Sequence, residues 1–334
     1  MAIEEATIGD TPLVELALPV EATVYAKLEW YNLPETPYGG GSVKSRIAKA
    51  MLDAAEAAGE LPGPTIIEPS SGNTGSEVAK IGTSRGYDVE IVMPDNAAGG
   101  KINAIRDAGA SIHFVDADKG YDAVLERCEE LLAAAPEQYY RPNQYANPAN
   151  PGAHERTTGP EIWTQTDGSV SHFIAGVGTG GTLTGTGRAL HDRGDVEIVG
   201  IEPAEPLHAI DGLKFLRRGD QHHPETYVES VLDEKLYIDT GAAYDRAREL
   251  RERYLDREMT VVDRGQHTAE AVRTHLRVQD QFLVGTSSGA AVAAVYELAE
   301  AGQLSGDDVV VLLFADRGDK YADIPLWEEY LNGH

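Results

Sequence analysis

A single cysteine in 334 residues leaves no partner for an intramolecular disulfide. Cys128 lies in YDAVLERCEELLAA, whose apolar spacing is helical, and is expected to fill core space rather than act as a nucleophile. No apolar run reaches membrane-spanning length, and the acidic N-terminus is unlike a signal peptide, so a cytoplasmic protein is expected. Positive charge is also scarce. Lys plus Arg total 28 against 55 Asp plus Glu, a formal charge of -27, and lysine is the scarcer base. Such a surface repels nucleic acid and anionic membranes, and neither is an expected partner. The acids are scattered rather than gathered in a tail. They read as a solvated acidic shell of the kind suited to high salt, where ions screen self-repulsion. The ten histidines form no metal-ligand spacing, and the adjacent His222 and His223 sit in a polar stretch, so no metal is expected.

What is present is alternation. PTIIEP, VEIVMP and SIHFVDA read as short buried strands between helical patterns over 42–58, 74–85, 98–108 and 121–134. A second series follows: SHFIAGV, a helix from Gly181 to Asp192, VEIVGIEP, QFLVG, a helix from Gly289 to Ala299, and DVVVLLFAD. PLVELALPVEATVYAKLEW reads as a hairpin-like strand pair. This βαβα patterning predicts an α/β fold with mostly parallel sheets flanked by helices. QYANPANPGAHERTTGP, rich in Asn, Pro and Gly, is where the chain is expected to pass between two α/β units.

In open parallel sheets ligands bind beyond the carboxyl ends of strands, so the loops there carry most weight. GGGSVKSRIAKAM, residues 39 to 51, opens a helix with Val43, Ile47 and Met51 on one face and Gly59 as its stop. Lys44 falls in the first turn, where the helix dipole disfavours a cation. A surface lysine is the plain reading. The other is a Schiff-base lysine whose neutral amine is favoured by the helix end and a flanking Arg46. PSSGNTG, residues 69 to 75, can hold a carboxylate at a helix start, or simply cap it. GVGTGGT, residues 176 to 182, can close backbone N–H groups around a phosphate. Gly176, Gly178 and Gly181 also satisfy G-x-G-x-x-G, with Glu202 where a nicotinamide-binding fold would want an acid. GTSSGAA, residues 285 to 291, matches the nucleophile elbow of hydrolases at Gly285, Ser287 and Gly289. Asp316 could serve such a triad, but the only later histidine is the terminal His334, and chain ends fray.

A nicotinamide enzyme uses one of these loops and a hydrolase another. Pyridoxal phosphate uses all four, needing a lysine, an anion cradle, a partner for its ring nitrogen and a carboxylate site for its amino-acid substrate. GGGSVKSRIA, SSGNTG, QYANPANP, TTGPEIW, GVGTGGTLTGTGR, VGIEPAEP and VGTSSGAAVAA, in this order, resemble the cysteine synthase and cystathionine β-synthase family of fold-type II pyridoxal-phosphate enzymes. The resemblance runs from Thr11 to Trp327.

It implies a smaller α/β domain over 36–150 that closes on substrate, and a larger one over 1–35 plus 151–334 that holds the cofactor phosphate, with the site between them. Lys44 would form the internal aldimine and then act on the substrate Cα proton. Asn73 would meet the ring hydroxyl oxygen. Gly176, Gly178, Thr179, Gly180 and Thr182 would hold the phosphate, and Ser287 would face the pyridine nitrogen. Ser70, Ser71, Thr74 and Gln144 would receive the substrate carboxylate. The implied reaction is β-replacement on O-acetylserine or O-phosphoserine by sulfide or a thiol, through an α-aminoacrylate. Homocysteine as acceptor, giving cystathionine, stays open. A neutral serine at the ring nitrogen gives a weaker electron sink than a carboxylate, which favours prompt loss of a β-leaving group. The family commonly forms homodimers.

The sequence departs from the family pattern in three places. Ser45 stands where an Asp commonly follows the lysine, and Ser70 where Thr is usual. Residues 241–281 look longer than the family pattern, more a surface decoration than an altered cleft wall, although a cofactor-bound partner protein without turnover would also account for the extra segment. HAIDGLKFLRRGD, 208 to 220, is a basic island. Its Lys214, Arg217 and Arg218 could meet a donor phosphate, or belong to a solvated helix of mixed charge.

Overall fold

The computed structural model describes residues 4–33, 40–61, 65–216 and 223–331. Arg217, Arg218, His222 and His334 lie outside them.

Eleven strands are found among the described residues: β1 Leu13–Leu16, β2 Thr23–Leu28, β3 Thr65–Pro69, β4 Asp88–Pro94, β5 Ser111–Val115, β6 Tyr139–Tyr140, β7 His172–Gly176, β8 Glu197–Pro203, β9 Glu234–Ile238, β10 Thr260–Asp263 and β11 Val309–Phe314. The helices are α1 Val43–Ala58, α2 Asn73–Ser84, α3 Gly99–Asp107, α4 Gly120–Ala134, α5 Ala149–Arg156, α6 Thr158–Gln165, α7 Gly181–His191, α8 Thr240–Arg253, α9 Ala269–His275, α10 Thr286–Glu300 and α11 Glu328–Leu331.

They build two sheets. The larger has the order β10-β1-β2-β11-β7-β8-β9 and the smaller β5-β4-β3-β6. The smaller sheet is parallel throughout. The larger is parallel from β2 to β9. Its β1 pairs antiparallel with both β2 and β10, so the predicted hairpin is present. The central strands are apolar on both faces because helices cover both. Val310, Val311, Leu312 and Phe314 of β11 are each 0% exposed. Cys128 is buried from α4 against Ile67, Val92 and Val124, and burial pushes its thiol up to about 12.

Three expectations need correction. QFLV is buried but is not a strand. Its backbone pairs with the loop after β11 instead: Gly318 N–H donates to Leu283 O, Gly285 N–H to Asp316 O, and Trp327 Nε1 to Val284 O. An apolar run records burial, and here the ladder partners are absent. The Asn- and Pro-rich stretch is a connection only as far as Pro148. From Ala149 it is helical, with Pro151 tolerated in the first turn of α5. Residues 208–216 are loop rather than helix.

The extra segment 241–281 forms α8, β10 and α9. β10 adds an edge to the larger sheet. Tyr31 hydroxyl donates to Val272 O and Trp30 Nε1 to His275 O, which stitch α9 to the body. None of its residues lines the cleft described next.

Candidate active site

The amino end of α1 begins where its sequence said it would. Ser42 caps it, accepting from the Lys44 amide at 3.2 Å, while Ser45 Oγ accepts from the Ser42 amide at 3.2 Å. Gly59 ends it in the left-handed conformation at φ 67°. A side chain at Gly41 would put Cβ 1.9 Å from Asn32 O, so only glycine lets these backbones pass. The Val43 amide donates to Ala315 O at 2.9 Å, which pins the helix start beside the end of β11.

That pinning turns Lys44 into a cleft. Lys44, Asn73, Gly176, Gly178, Thr179, Gly180, Thr182 and Ser287 line it together, with Asp211, Leu213 and Asp316 among the other walls. Asp211 and Leu213 come from the loop after β8; the others come from the start of a helix or the carboxyl end of a strand, as an open α/β sheet requires. Burial lowers the Lys44 amine to about 8, and the Asp316 carboxylate works against that shift. Arg46 is not a cause. It turns away from the cleft into a fork with Glu29 and Glu161. The expectation that Arg46 would favour the neutral amine is therefore corrected: desolvation does this work. Lys44 Nζ and Ser287 Oγ make no hydrogen bond among the described residues.

The glycine loop after β7 forms a cradle. Gly180 has φ +76°, and a Cβ there would sit 2.3 Å from Tyr227. The first-turn amides of α7 have no acceptor within the helix and face the loop. Thr182 Oγ1 is held by His154 Nε2 at 3.2 Å, and His154, lowered well below its usual value by burial, stays neutral. Asn150 Nδ2 donates to Thr179 Oγ1 at 3.0 Å and to Gln144 O at 2.7 Å. Asn150 thus ties the phosphate-type loop to the neighbouring one.

Ser70, Ser71, Thr74 and Gln144 are not among the residues lining the Lys44 cleft; the first three flank Asn73, and Gln144 comes from the segment after β6. Ser70 Oγ accepts from the amides of Gly72 and Gly75 at 3.3 and 2.9 Å. Thr74 Oγ1 donates to Gln144 Oε1 at 2.6 Å. Buried Glu68 accepts from the amides of Asn143 and Gln144 at 2.9 and 3.1 Å and fixes that segment. Lys214 follows Leu213 of the cleft wall. Its amide donates to Val177 O at 2.8 Å, and its Nζ lies 4.4 Å over the Tyr145 ring and 5.6 Å from that of Tyr121.

Sequence reasoning missed His154, Asn150 and Lys320, and assigned Asp316 only to a hydrolase triad. Lys320 Nζ donates to Gly41 O at 3.0 Å and to Asn73 Oδ1 at 3.2 Å. QYANPANP contained Asn150, but nothing in its spacing singled that residue out. The competing readings lose their residues here. Glu202 is fully buried, accepting from the Leu216 amide at 3.0 Å and pairing with Lys235 at 2.9 Å, so it is not free for a ribose. No histidine lines the cleft that holds Ser287.

Pyridoxal phosphate fits these residues: a partly desolvated lysine without a partner, a backbone anion cradle and a free neutral hydroxyl in one cavity. Gly180→Ala is expected to weaken its binding at least about tenfold, since the left-handed backbone costs about 1–2 kcal/mol for alanine and Tyr227 must also shift. Titrating the visible band with cofactor measures this; an unchanged affinity would remove the loop from the site.

Comparison with known proteins agrees. Residues 5–316 match the family described as "Pyridoxal-phosphate dependent enzyme". A cysteine synthase of Aquifex aeolicus is 36% identical over 331 residues, covering 96% of this chain and 91% of that one. The crystal structure of O-acetyl serine sulfhydrylase isoform 3 from Entamoeba histolytica is 31% identical with TM-score 0.78, covering 97% and 90%. That of an O-ureido-L-serine synthase is 29% identical with TM-score 0.79, covering 99% and 96%. With the lysine, the glycine cradle and the serine all in one cleft, the chain belongs to the pyridoxal-phosphate dependent enzymes and takes that cofactor.

Proposed function

We propose that the protein is a cysteine synthase, replacing the β-substituent of an activated serine with sulfide. The observation that carries this reading is the convergence of Lys44, Asn73, the 176–182 loop and Ser287 on one cleft. When bound, pyridoxal phosphate supplies an aldehyde and a conjugated ring that takes up the electron pair left at an amino acid's Cα. The chain supplies the rest. Lys44 Nζ would hold the cofactor through its aldehyde and would take the Cα proton; an amine near 8 is well poised for that transfer. Asn73 would meet the ring oxygen, and Ser287 would offer the ring nitrogen a neutral partner. Gly176, Gly178, Thr179, Gly180 and Thr182 would hold the phosphate. Ser70, Ser71, Thr74 and Gln144 receive the substrate carboxylate, which replaces the Thr74–Gln144 bond as its acceptor. The leaving group would depart on the side of Lys214, next to Leu213 of the cleft wall.

We assign the two working domains to 36–150 and to 1–35 plus 151–334, and expect a homodimer. A cytoplasmic setting fits a chain in which no described helix is long and apolar enough to cross a membrane.

The test is to load the chain with pyridoxal phosphate, add O-acetylserine or O-phosphoserine, then sulfide or homocysteine, and identify the product by mass. Parallel runs at low and molar salt guard against unfolding by the charge of -27. A shift of the visible band and free cysteine are expected. Cystathionine with homocysteine alone would replace this reading by a cystathionine β-synthase. A loaded chain inert to both donors would overturn it.

Lys214 separates the donors. Lys214→Ala is expected to raise KM for O-phosphoserine at least about tenfold and leave O-acetylserine nearly unchanged, because only the phosphate gains from a cation released from the tyrosine rings. Equal effects on both donors would assign Lys214 to packing.

A further inference from the structure

One acid in the cleft has no task in the chemistry just described. Asp316 follows β11, is 1% exposed, and lines the same cavity as Lys44. Its Oδ2 accepts from Asn73 Nδ2 at 2.7 Å and from the Tyr321 hydroxyl at 2.6 Å. Its Oδ1 is buried and has no hydrogen-bond partner. Burial raises this carboxyl above its usual value, with Lys320 and then the Tyr321 and Asn73 hydrogen bonds working against the shift, so its ionised form depends on opposing charge.

The charged and titratable groups facing it are few. Tyr321 bridges to Asp211, at 3.1 Å from its Oδ2, and Asp211 pairs with Lys101 of α3. Lys320 approaches through Asn73, committed to Gly41 O and Asn73 Oδ1, with Glu77 3.9 Å behind it. Lys101 and Lys320 therefore already have partners. Among the described residues, the remaining cation on the cavity wall is Lys44, whose nitrogen makes no hydrogen bond.

We propose that Asp316 is a positioning residue of this site: one carboxylate oxygen fixes the Asn73 amide, and the other serves as the counter-charge of the Lys44 nitrogen. The proposal rests on Lys44 being the cofactor lysine. Its physical consequence follows from the two effects on that amine. Burial removes the proton and the carboxylate retains it. Without the carboxylate, burial acts alone, and Lys44 becomes neutral at lower pH. The Asn73 amide also loses the acceptor that orients it toward the cofactor ring.

The experiment uses the full chain stripped of cofactor. Pyridoxal phosphate is added from pH 6 to pH 10, and the rate of visible-band growth is recorded, since only the neutral amine attacks the aldehyde. Titration of the cofactor itself is common to all variants and cancels. In the unaltered chain the rate is expected to rise with a midpoint at about 8. In Asp316→Asn the midpoint is expected at least about one pH unit lower, making loading at pH 7 about fivefold faster. Asp316→Ser, smaller and also uncharged, is expected to shift it the same way and covers a failure of the first variant to fold. A purely structural role would lower the melting temperature or the band's amplitude while leaving the midpoint in place. Midpoints within about 0.2 unit of the unaltered chain would overturn the counter-charge. No band in the unaltered chain would instead overturn the assignment of Lys44, and this proposal with it.

Discussion

Lys44→Ala is expected to abolish covalent loading with pyridoxal phosphate and to lower the rate of β-replacement by at least about 10³-fold. The size reflects two lost roles of one nitrogen, tethering the cofactor and moving the Cα proton. Other buried lysines cannot easily substitute. Lys27 pairs with Glu161 at 2.8 Å and Lys80 with Glu77 at 3.0 Å. Lys101 is paired with Asp211. Lys320 reaches Asn73 of the cleft, but its nitrogen is held by Gly41 O and Asn73 Oδ1. Reduction of the loaded protein with borohydride, followed by peptide mass analysis, should place the label on Lys44 and leave the alanine variant unlabelled. A label on Lys320 in the unaltered chain would move the reaction to another residue and undo the mechanism.

Arg46→Ala should cost about 3–5 kcal/mol of stability, seen as a fall in Tm of at least about 5 °C. Arg46 is 3% exposed and forks onto two carboxylates. Its Nε and Nη2 reach Glu29 at 2.6 and 2.9 Å; Nη1 and Nη2 reach Glu161 at 2.7 Å each. Alanine leaves Glu29, fully buried, with neutral donors only: Thr11 and Asn32. Glu161 keeps Lys27, so the loss falls chiefly on Glu29. The ammonium of Arg46→Lys restores charge but cannot bridge both acids in the same plane, so it should recover only part of the loss. Thermal melts of the two variants measure this. An alanine variant melting within about 1 °C of the unaltered chain would show that the cluster is neutral to stability.

The sequence-based reading succeeded where one local signal was sufficient. Strands β3, β4, β5, β7, β8 and β11 each lie within a residue or two of the expected span, but β5, expected to be buried, is an edge strand with no buried residue and Phe114 43% exposed. α1 was readable from Ser42 to Gly59 because its cap, its face and its stop all agree. Phe282, Leu283 and Val284 show the limit: they are as apolar as a strand and as buried, yet pair with a loop. β6, with two residues, and β9, half exposed, carry too little pattern to be read. At the site, the lysine, the glycines and Ser287 were readable because each sits in a motif. Asp316, Lys320 and His154 were not, since each becomes relevant only through a contact far along the chain. Asn73 and Asp316 are 243 positions apart.

The buried thiol on α4 has a bearing on handling sulfide and cysteine. Where product has oxidised to its disulfide, or sulfide to polysulfide, a reactive protein thiolate exchanges with that species to give a mixed disulfide or a persulfide and releases a reduced sulfur. Here the sole sulfhydryl is sealed among aliphatic side chains and held in its unreactive protonated form. The fold thereby insulates the catalyst from the chemistry it serves, and alkylation of that sulfur becomes a gauge of how often the smaller sheet comes apart.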